Sequence, residues 1–214
     1  MTSPTEGCNI PRTELMFENV RADLARARDQ NISRDKWDQH LRVYLQPGTL
    51  AVLSYRFCHW MRSINAPVLR HFAWLPVMIV RGFSQLLTGV HISSKARIGP
   101  GFVVHTVYGI FIPPTKIGAN CSVQTGVVLN YGVRSIGNDV FIGAGAKLIG
   151  SITVGSNVLI APNSLVTSDI ADNTTVVGVP ARISLGRKCS TLTVMAKKEG
   201  AEGFSYPDAL DRGA

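Results

Sequence analysis

Two kinds of residue in this chain could do chemistry: imidazoles, and a run of residues that almost lack side chains. His105 and His91 are the histidines in the repetitive part of the chain. A neutral imidazole can take a proton from a hydroxyl near pH 7, because its pKa lies close to working pH. Residues 143–146 read Gly-Ala-Gly-Ala, which lets an extended ligand lie against the backbone. The sequence therefore predicts a proton-transfer site beside a groove for an extended ligand.

These residues are set in a six-residue repeat. One aliphatic residue recurs every six positions, and glycine often follows it. The aliphatic positions are Ile98, Val104, Ile110, Ile117, Val123, Leu129, Ile136, Ile142, Leu148, Val154, Ile160 and Val166. Neither a helix nor an alternating strand has this period. A period of six is typical of a parallel β-helix, in which each repeat supplies a short strand and a turn.

The phase of the repeat predicts how the coils stack. One extra residue follows Ile110 and another follows Leu129, so three repeats make one coil of 18 or 19 residues. Equivalent residues of neighbouring coils then lie about 4.8 Å apart. One predicted inward column consists of Val104, Val123, Ile142 and Ile160. The column beside it, displaced outward, consists of His105, Gln124, Gly143 and Ala161.

Composition narrows the class of protein. Hydrophobic residues make up 45% of the 214 residues, which is typical of a soluble globular protein. The formal charge is +8, but the cations are scattered, so an anionic small molecule is predicted as a ligand and nucleic acid is not. The four cysteines lack metal-ligand spacing, and no signal peptide opens the chain, which predicts free thiols, no metal site and a cytoplasmic location. The apolar stretch 72–90 contains Pro76 and Arg81, so no membrane span is expected.

Helical periodicity precedes the repeats. Apolar residues at helical spacing predict a first helix over 14–28 and a second over 33–45, capped by its serine and ended by Pro47–Gly48. Further helices are predicted over 50–64 and 67–87. The histidines of this region are expected to be packing or capping residues: His40, His59 and His71.

The predicted organisation has four parts. They are a flexible N-terminus at 1–12, an α-helical domain at 13–90, a β-helix domain at 91–185 and a flexible C-terminal tail at 186–214.

Several segments resemble the bacterial serine acetyltransferases. They are VYLQPGTLA at 43–51, SYRFCHW at 54–60, LTGVHI at 87–92, ARIG at 96–99, IGAGAKLIG at 142–150 and VGVPARI at 177–183. The resemblance spans about residues 14–185. The helical segments narrow the choice, because hexapeptide repeats alone occur in many acyltransferases and in some non-enzymes. Capsular-polysaccharide O-acetyltransferases share much of this layout.

The resemblance implies a mainly β fold, a left-handed parallel β-helix preceded by helices, and acetyl-CoA as the acyl donor. It places the pantetheine arm along the Gly-Ala-Gly-Ala run and the phosphates near cations. The implied donor-binding residues are Gly143, Ala144, Gly145, Lys147, Ala161 and Arg182, with Lys188 as a further cation. A lysine that the family uses near the nucleotide falls on Leu159, so an acyl-carrier protein stays open as the donor.

At the acceptor end the chain departs from the family. The family pairs a carboxylate with a histidine, but the carboxylate position is His91 and the histidine position is Thr106. His105, one residue earlier, is therefore the predicted general base, and His91 could orient it. The remaining predicted acceptor-binding residues are Tyr108, Gln124, Arg134 and Asp29, with Gln124 also a candidate oxyanion donor.

The family also implies an assembly, because its acyl groove forms between the β-helices of neighbouring subunits. A homotrimer or a hexamer is therefore expected. The family's carboxy-terminal isoleucine, which docks into cysteine synthase, is missing, so that partnership is not expected. Three functions stay open: an O-acetyltransferase acting on serine or a related small acceptor, one acting on a sugar hydroxyl of a polysaccharide or natural product, and a non-catalytic scaffold.

Overall fold

Three helices precede the β-helix in the computed structural model, which describes residues 12–29, 46–63 and 67–184. Helix α1 spans Arg12–Asp29, α2 spans Pro47–Ser63 and α3 spans Pro67–Thr88. Three of the predicted helices are thus confirmed, with small shifts at their ends. The helix predicted over 33–45 lies outside the described residues, and so do residues 1–11 and 185–214 of the predicted flexible termini.

The Pro47–Gly48 pair opens helix α2, three residues before the predicted start at residue 50, while the helix that the pair was predicted to end lies outside the described residues. Proline suits the first turn of a helix, because its φ is already helical and its missing N–H is not needed there. The N–H of Leu50 donates to the carbonyl of Gln46 at 3.1 Å and closes the first turn of α2. A Cβ on Gly48 would overlap the carbonyl oxygen of Val104, so this turn lies directly against the β-helix.

Short strands follow from Val90 onward and stack into three sheets. The strands are β1 Val90–Ile92, β2 Arg97–Ile98, β3 Val103–Val104, β4 Ile110–Ile112, β5 Lys116–Ile117, β6 Ser122–Val123, β7 Val128–Leu129, β8 Ser135–Ile136, β9 Phe141–Ile142, β10 Lys147–Leu148, β11 Thr153–Val154, β12 Leu159–Ile160, β13 Leu165–Val166, β14 Thr175–Val177 and β15 Arg182–Ile183. The sheets have the orders β1-β4-β7-β10-β13, β11-β8-β5-β2 and β15-β14-β12-β9-β6-β3. Pairing is parallel except between β14 and β15. The fold is a left-handed parallel β-helix of about five coils, as predicted.

The predicted columns are confirmed. Val104 pairs with Val123, Val123 with Ile142, and Ile142 with Ile160, and all four are buried in one apolar core. The outward column follows the same register, because each of its N–H groups donates to the inward residue of the next coil: His105 to Val123, Gln124 to Ile142, and Gly143 to Ile160. No coil could bury its aliphatic residues alone, so the stacking itself builds the core.

Polar contacts fix α1 and α2 onto the first coil. Arg56 of α2 donates to the carbonyls of Ile98 and Gly99, each at 2.6 Å. Asp23 of α1 accepts the N–H of Phe102 at 2.8 Å. These contacts hold the backbone immediately before β3, the strand that leads to His105.

Candidate active site

His105 follows β3 at the corner between the six-stranded and the five-stranded sheets. The residue is exposed, and it also lines a cavity between α1, α2 and β3. Its ring lies 6.2 Å from the ring of Phe141, tilted by 57°. Desolvation, and then the positive charge of Arg26, lower the pKa of the imidazole below its usual 6.5. The imidazole is therefore mostly neutral at pH 7 and can accept a proton.

Thr106 and Tyr108 lie in the turn that follows His105. The Thr106 hydroxyl accepts the N–H of Thr125 at 3.1 Å, so it is engaged in stacking the turn on the next coil. Tyr108 has a φ of 80°, and its N–H donates to the carbonyl of Thr88 at 2.9 Å. Its side chain is 64% exposed, which leaves the phenol at the same corner as His105 and open to a ligand.

Gln124 lies one coil above His105 and reaches the Gly-Ala-Gly-Ala run. Its Oε1 accepts the N–H of Ala144 at 3.0 Å. This bond fixes the side-chain amide and leaves the Nε2 hydrogens without a partner among the described residues. A fixed amide donor is the kind of group that can stabilise an oxyanion, and this role of Gln124 stays a prediction.

His91 lies on β1, and three side chains surround its ring. The ring stacks on Phe111, with centroids 5.0 Å apart and planes 11° apart. The amide of Gln85 contacts Nδ1, and the guanidinium of Arg81 lies 3.5 Å from Nε2. Desolvation, and then Arg81, lower the pKa of His91. Both ring nitrogens thus face groups other than His105, and the orienting role of His91 stays a prediction.

Packing between neighbouring coils requires the two glycines of the predicted donor groove. A Cβ on Gly143 would lie 2.6 Å from the nitrogen of Pro162, and one on Gly145 would overlap the side chain of Asn163. Gly145 also has a φ of 71°, a conformation that glycine adopts without strain. Ala144 and Ala161 are half-buried, and the N–H of Ala144 is already bonded to Gln124. A substitution of Ala144 is therefore the most direct test of the predicted ligand groove.

The two predicted phosphate-binding cations lie on exposed strand positions. Lys147 points outward on β10, between Val128 of β7 and Leu165 of β13. Arg182 is exposed on β15, paired with Val177. Neither forms an ion pair with a residue that the structure describes, so both cations are available to an anion.

The structure does not bring Arg134 to His105 within one chain. Arg134 lies in the turn between β7 and β8, where its Nε donates to the hydroxyl of Ser151 at 2.9 Å. His105 lies just before β4 and Arg134 lies just after β7, and both strands belong to the five-stranded sheet. The two residues therefore lie at opposite ends of the strands of that sheet. Asp29 is the last residue of α1, and its side chain is outside the described part of the structure.

Sequence reasoning missed the cavity beside His105 and the groups that surround His91. The only sequence signal for the cavity is Pro47–Gly48, which also fits the end of a helix. Among the described residues, no group of three or more His, Cys, Asp or Glu side chains is placed to hold a metal ion. None of the three described helices has the length and apolar character that crossing a membrane requires.

Comparisons with known proteins match most of the chain. A family model described as bacterial transferase hexapeptide (six repeats) matches residues 135–168. The serine acetyltransferase of Synechococcus elongatus is 33% identical over 176 residues, which are 78% of this chain and 68% of that protein. The serine acetyltransferase of Helicobacter pylori J99 is 36% identical over 161 residues, which are 70% of this chain and 86% of that protein. The crystal structure of Neisseria gonorrhoeae serine acetyltransferase in complex with serine has a TM-score of 0.66 and 28% identity, covering 78% of this chain and 68% of that one.

Proposed function

The chain belongs to the serine acetyltransferase family of hexapeptide-repeat acyltransferases, and we propose that it transfers the acetyl group of acetyl-CoA to the hydroxyl of serine. The observation that carries this proposal is His105, a neutral imidazole at the corner of the β-helix. It lies one coil from a fixed amide donor and two coils from a run of residues with small side chains.

The reaction needs one base and one oxyanion donor. An imidazole nitrogen of His105 takes the hydroxyl proton while the hydroxyl oxygen bonds to the thioester carbonyl carbon. The Nε2 of Gln124 donates to the negative oxygen of the tetrahedral intermediate. Collapse of the intermediate breaks the carbon–sulfur bond, and the imidazolium returns its proton to the departing thiolate. The products are O-acetylserine and coenzyme A, and His105 is neutral again.

The donor lies in the groove that Gly143, Ala144, Gly145 and Ala161 line. The pantetheine arm runs along the half-buried alanines, where a larger side chain would exclude it. Lys147 and Arg182 meet the phosphates, because both are exposed cations without an acidic partner among the described residues. This places the thioester near Gln124, within the column that also holds His105.

A sugar hydroxyl is the second candidate acceptor. It is supported by exposed aromatic rings: Tyr131 is 69% exposed and meets Phe111 edge to face at 5.8 Å, and Phe111 in turn stacks on His91. The apolar face of a sugar ring packs well on such side chains. Arg134, in contrast, is held beside Ser151, where it could serve a carboxylate acceptor.

The proposal includes a homotrimer, or a hexamer of two trimers, as the working unit. Arg134 and His105 lie at opposite ends of the strands of one sheet. A neighbouring β-helix is therefore needed to bring an arginine of this position close to His105. We further propose a cytoplasmic location, which suits the unpaired buried thiols of Cys58 and Cys121. Neither nucleic acid nor cysteine synthase is a proposed partner.

Release of coenzyme A thiol tests the function directly. The purified chain is mixed with acetyl-CoA and one acceptor at a time. The acceptors are L-serine, L-homoserine and a set of free sugars. We expect rapid thiol release with L-serine and formation of O-acetylserine by mass spectrometry. Turnover with sugars alone would favour the second candidate, and coenzyme A binding without turnover would leave a scaffold. Light scattering that gives a monomer at micromolar concentration would contradict the shared site.

A further inference from the structure

A cavity opens beside His105 and runs under the helices. Its apolar wall comes from both helices and the first coil: Leu24, Ala27, Val52, Leu53 and Phe102. Its polar lining is Asp23, Gln46, Thr49 and His105. Asp23 already pairs with Arg56, so Gln46 and Thr49 are the polar side chains left to meet a ligand next to the base.

Thr49 is a buried residue whose hydroxyl lacks a partner. The residue is only 9% exposed, and its side chain makes no hydrogen bond to any residue that the structure describes. Among the described residues, Thr175 Oγ1 is the one fully buried side-chain oxygen that has no hydrogen-bond partner. The hydroxyl oxygen of Thr49 is therefore not fully buried and still touches open space. The hydroxyl is therefore open to the cavity and can donate to an acceptor on a ligand.

The electrostatics of the cavity favour an anion. Thr49 lies in the first turn of α2, where the helix dipole is positive. The charge of Arg26 reaches this region, because it lowers the pKa of His105. The carboxylate of Asp23 is offset by the guanidinium of Arg56, at 2.9 Å. A small anion therefore finds one free hydroxyl donor, a positive helix end and a nearby cation.

We propose that the first turn of α2, through the hydroxyl of Thr49, binds the carboxylate of the acceptor while His105 faces its hydroxyl. This inference rests on the proposed function and deepens it, because it makes Thr49 a specificity-determining residue for a small hydroxy acid. In this arrangement the carboxylate meets Thr49 and the reacting hydroxyl meets His105, and both side chains line one cavity whose apolar wall excludes a bulky acceptor. Arg134, at the far edge of the five-stranded sheet, does not take this role within the same chain.

Steady-state kinetics with two acceptors tests the proposal. L-Serine carries the carboxylate, and L-serinamide replaces it with a neutral amide. We expect Thr49→Val to raise the KM for L-serine about tenfold, with kcat and the KM for acetyl-CoA nearly unchanged. Its kcat/KM for L-serinamide should stay within about twofold of wild type, so the preference for the acid falls. Thr49→Ser should restore the KM, and Thr153→Val, on the outside of β11, is the matched control.

An unchanged KM for L-serine in folded Thr49→Val would overturn the proposal, and so would a rise found only in Arg134→Ala. Gln46→Ala, at the exposed rim of the cavity, is a second variant in case Thr49→Val does not fold. We expect it to raise the KM for L-serine about threefold, and an unchanged KM would overturn the proposal. If wild type shows no acetyl transfer to L-serine, the proposed function fails separately. Calorimetric titration with L-serine then decides this inference: about tenfold weaker binding to Thr49→Val supports it, and equal binding, or none to wild type, overturns it.

Discussion

The guanidinium of Arg56 and the carboxylate of Asp23 form a buried ion pair between α2 and α1, with Nε and Oδ2 2.9 Å apart and both side chains 5% exposed. Each partner also binds the backbone of the first coil, Arg56 through two carbonyls and Asp23 through one N–H. The pair therefore fixes the helices on the β-helix, and Asp23 also lines the cavity beside His105.

Arg56→Met should destabilise the protein by about 3–5 kcal/mol, because it leaves Asp23 buried without a counter-ion. Urea unfolding followed by circular dichroism measures this loss. Arg134→Met, at an exposed position, is the control and should cost less than about 1 kcal/mol. The double variant with Asp23→Leu should be more stable than the sum of the single effects implies, because no unpaired charge remains. Full stability of Arg56→Met would contradict a structural role for the pair.

His105→Ala should lower kcat about a hundredfold or more, since the general base is lost while the coil keeps its hydrogen bonds. Stopped assays of thiol release measure the rate, and light scattering checks that the assembly is intact. Thr106→Val is the informative control, because this position matches the histidine of the family. A larger loss in Thr106→Val than in His105→Ala would show that the base has been misassigned.

The pH dependence of kcat/KM should report the imidazole of His105. Only the neutral ring accepts a proton, and desolvation, and then the positive charge of Arg26, lower its pKa below 6.5. The rate should therefore be level near pH 7–8 and fall about tenfold per unit on the acid side, at a pH below 6.5. Arg26→Met should move this acid limb to higher pH, because it removes a positive charge that opposes protonation. Arg28→Met, exposed on α1, should leave the limb in place, and an acid limb above 6.5 in wild type would contradict the assignment.

Ala144→Phe should block the donor groove. The residue is half-buried beside Gln124, and a ring there would occupy the path of the pantetheine arm. We expect the KM for acetyl-CoA to rise about tenfold or more, with a thermal midpoint close to wild type. Ala171→Phe, in an exposed turn of the last coil, is the matched control. Unchanged acetyl-CoA affinity in Ala144→Phe would remove the groove from the proposed site.

Much of the candidate site was predictable because its residues repeat with the coil. His105 and Gln124 lie one above the other, as the spacing of 19 residues predicts. The chemistry of Gly143 and Gly145 was less predictable, because the same glycines satisfy packing against Pro162 and Asn163. A sequence shows that a side chain is small, but it does not show what occupies the space.

The sequence by itself determined the β-helix, since a six-residue period encodes strand, turn and inward face within each local segment, and stacking follows from the coil length. Only the tertiary structure decided where α2 begins, how Asp23 and Arg56 join the helices to the first coil, and which groups surround His91. It also decided that Thr49 and His105 line one cavity while Arg134 lies across the sheet. These relationships join residues far apart in the chain, and they depend on shape and burial, which no local pattern encodes.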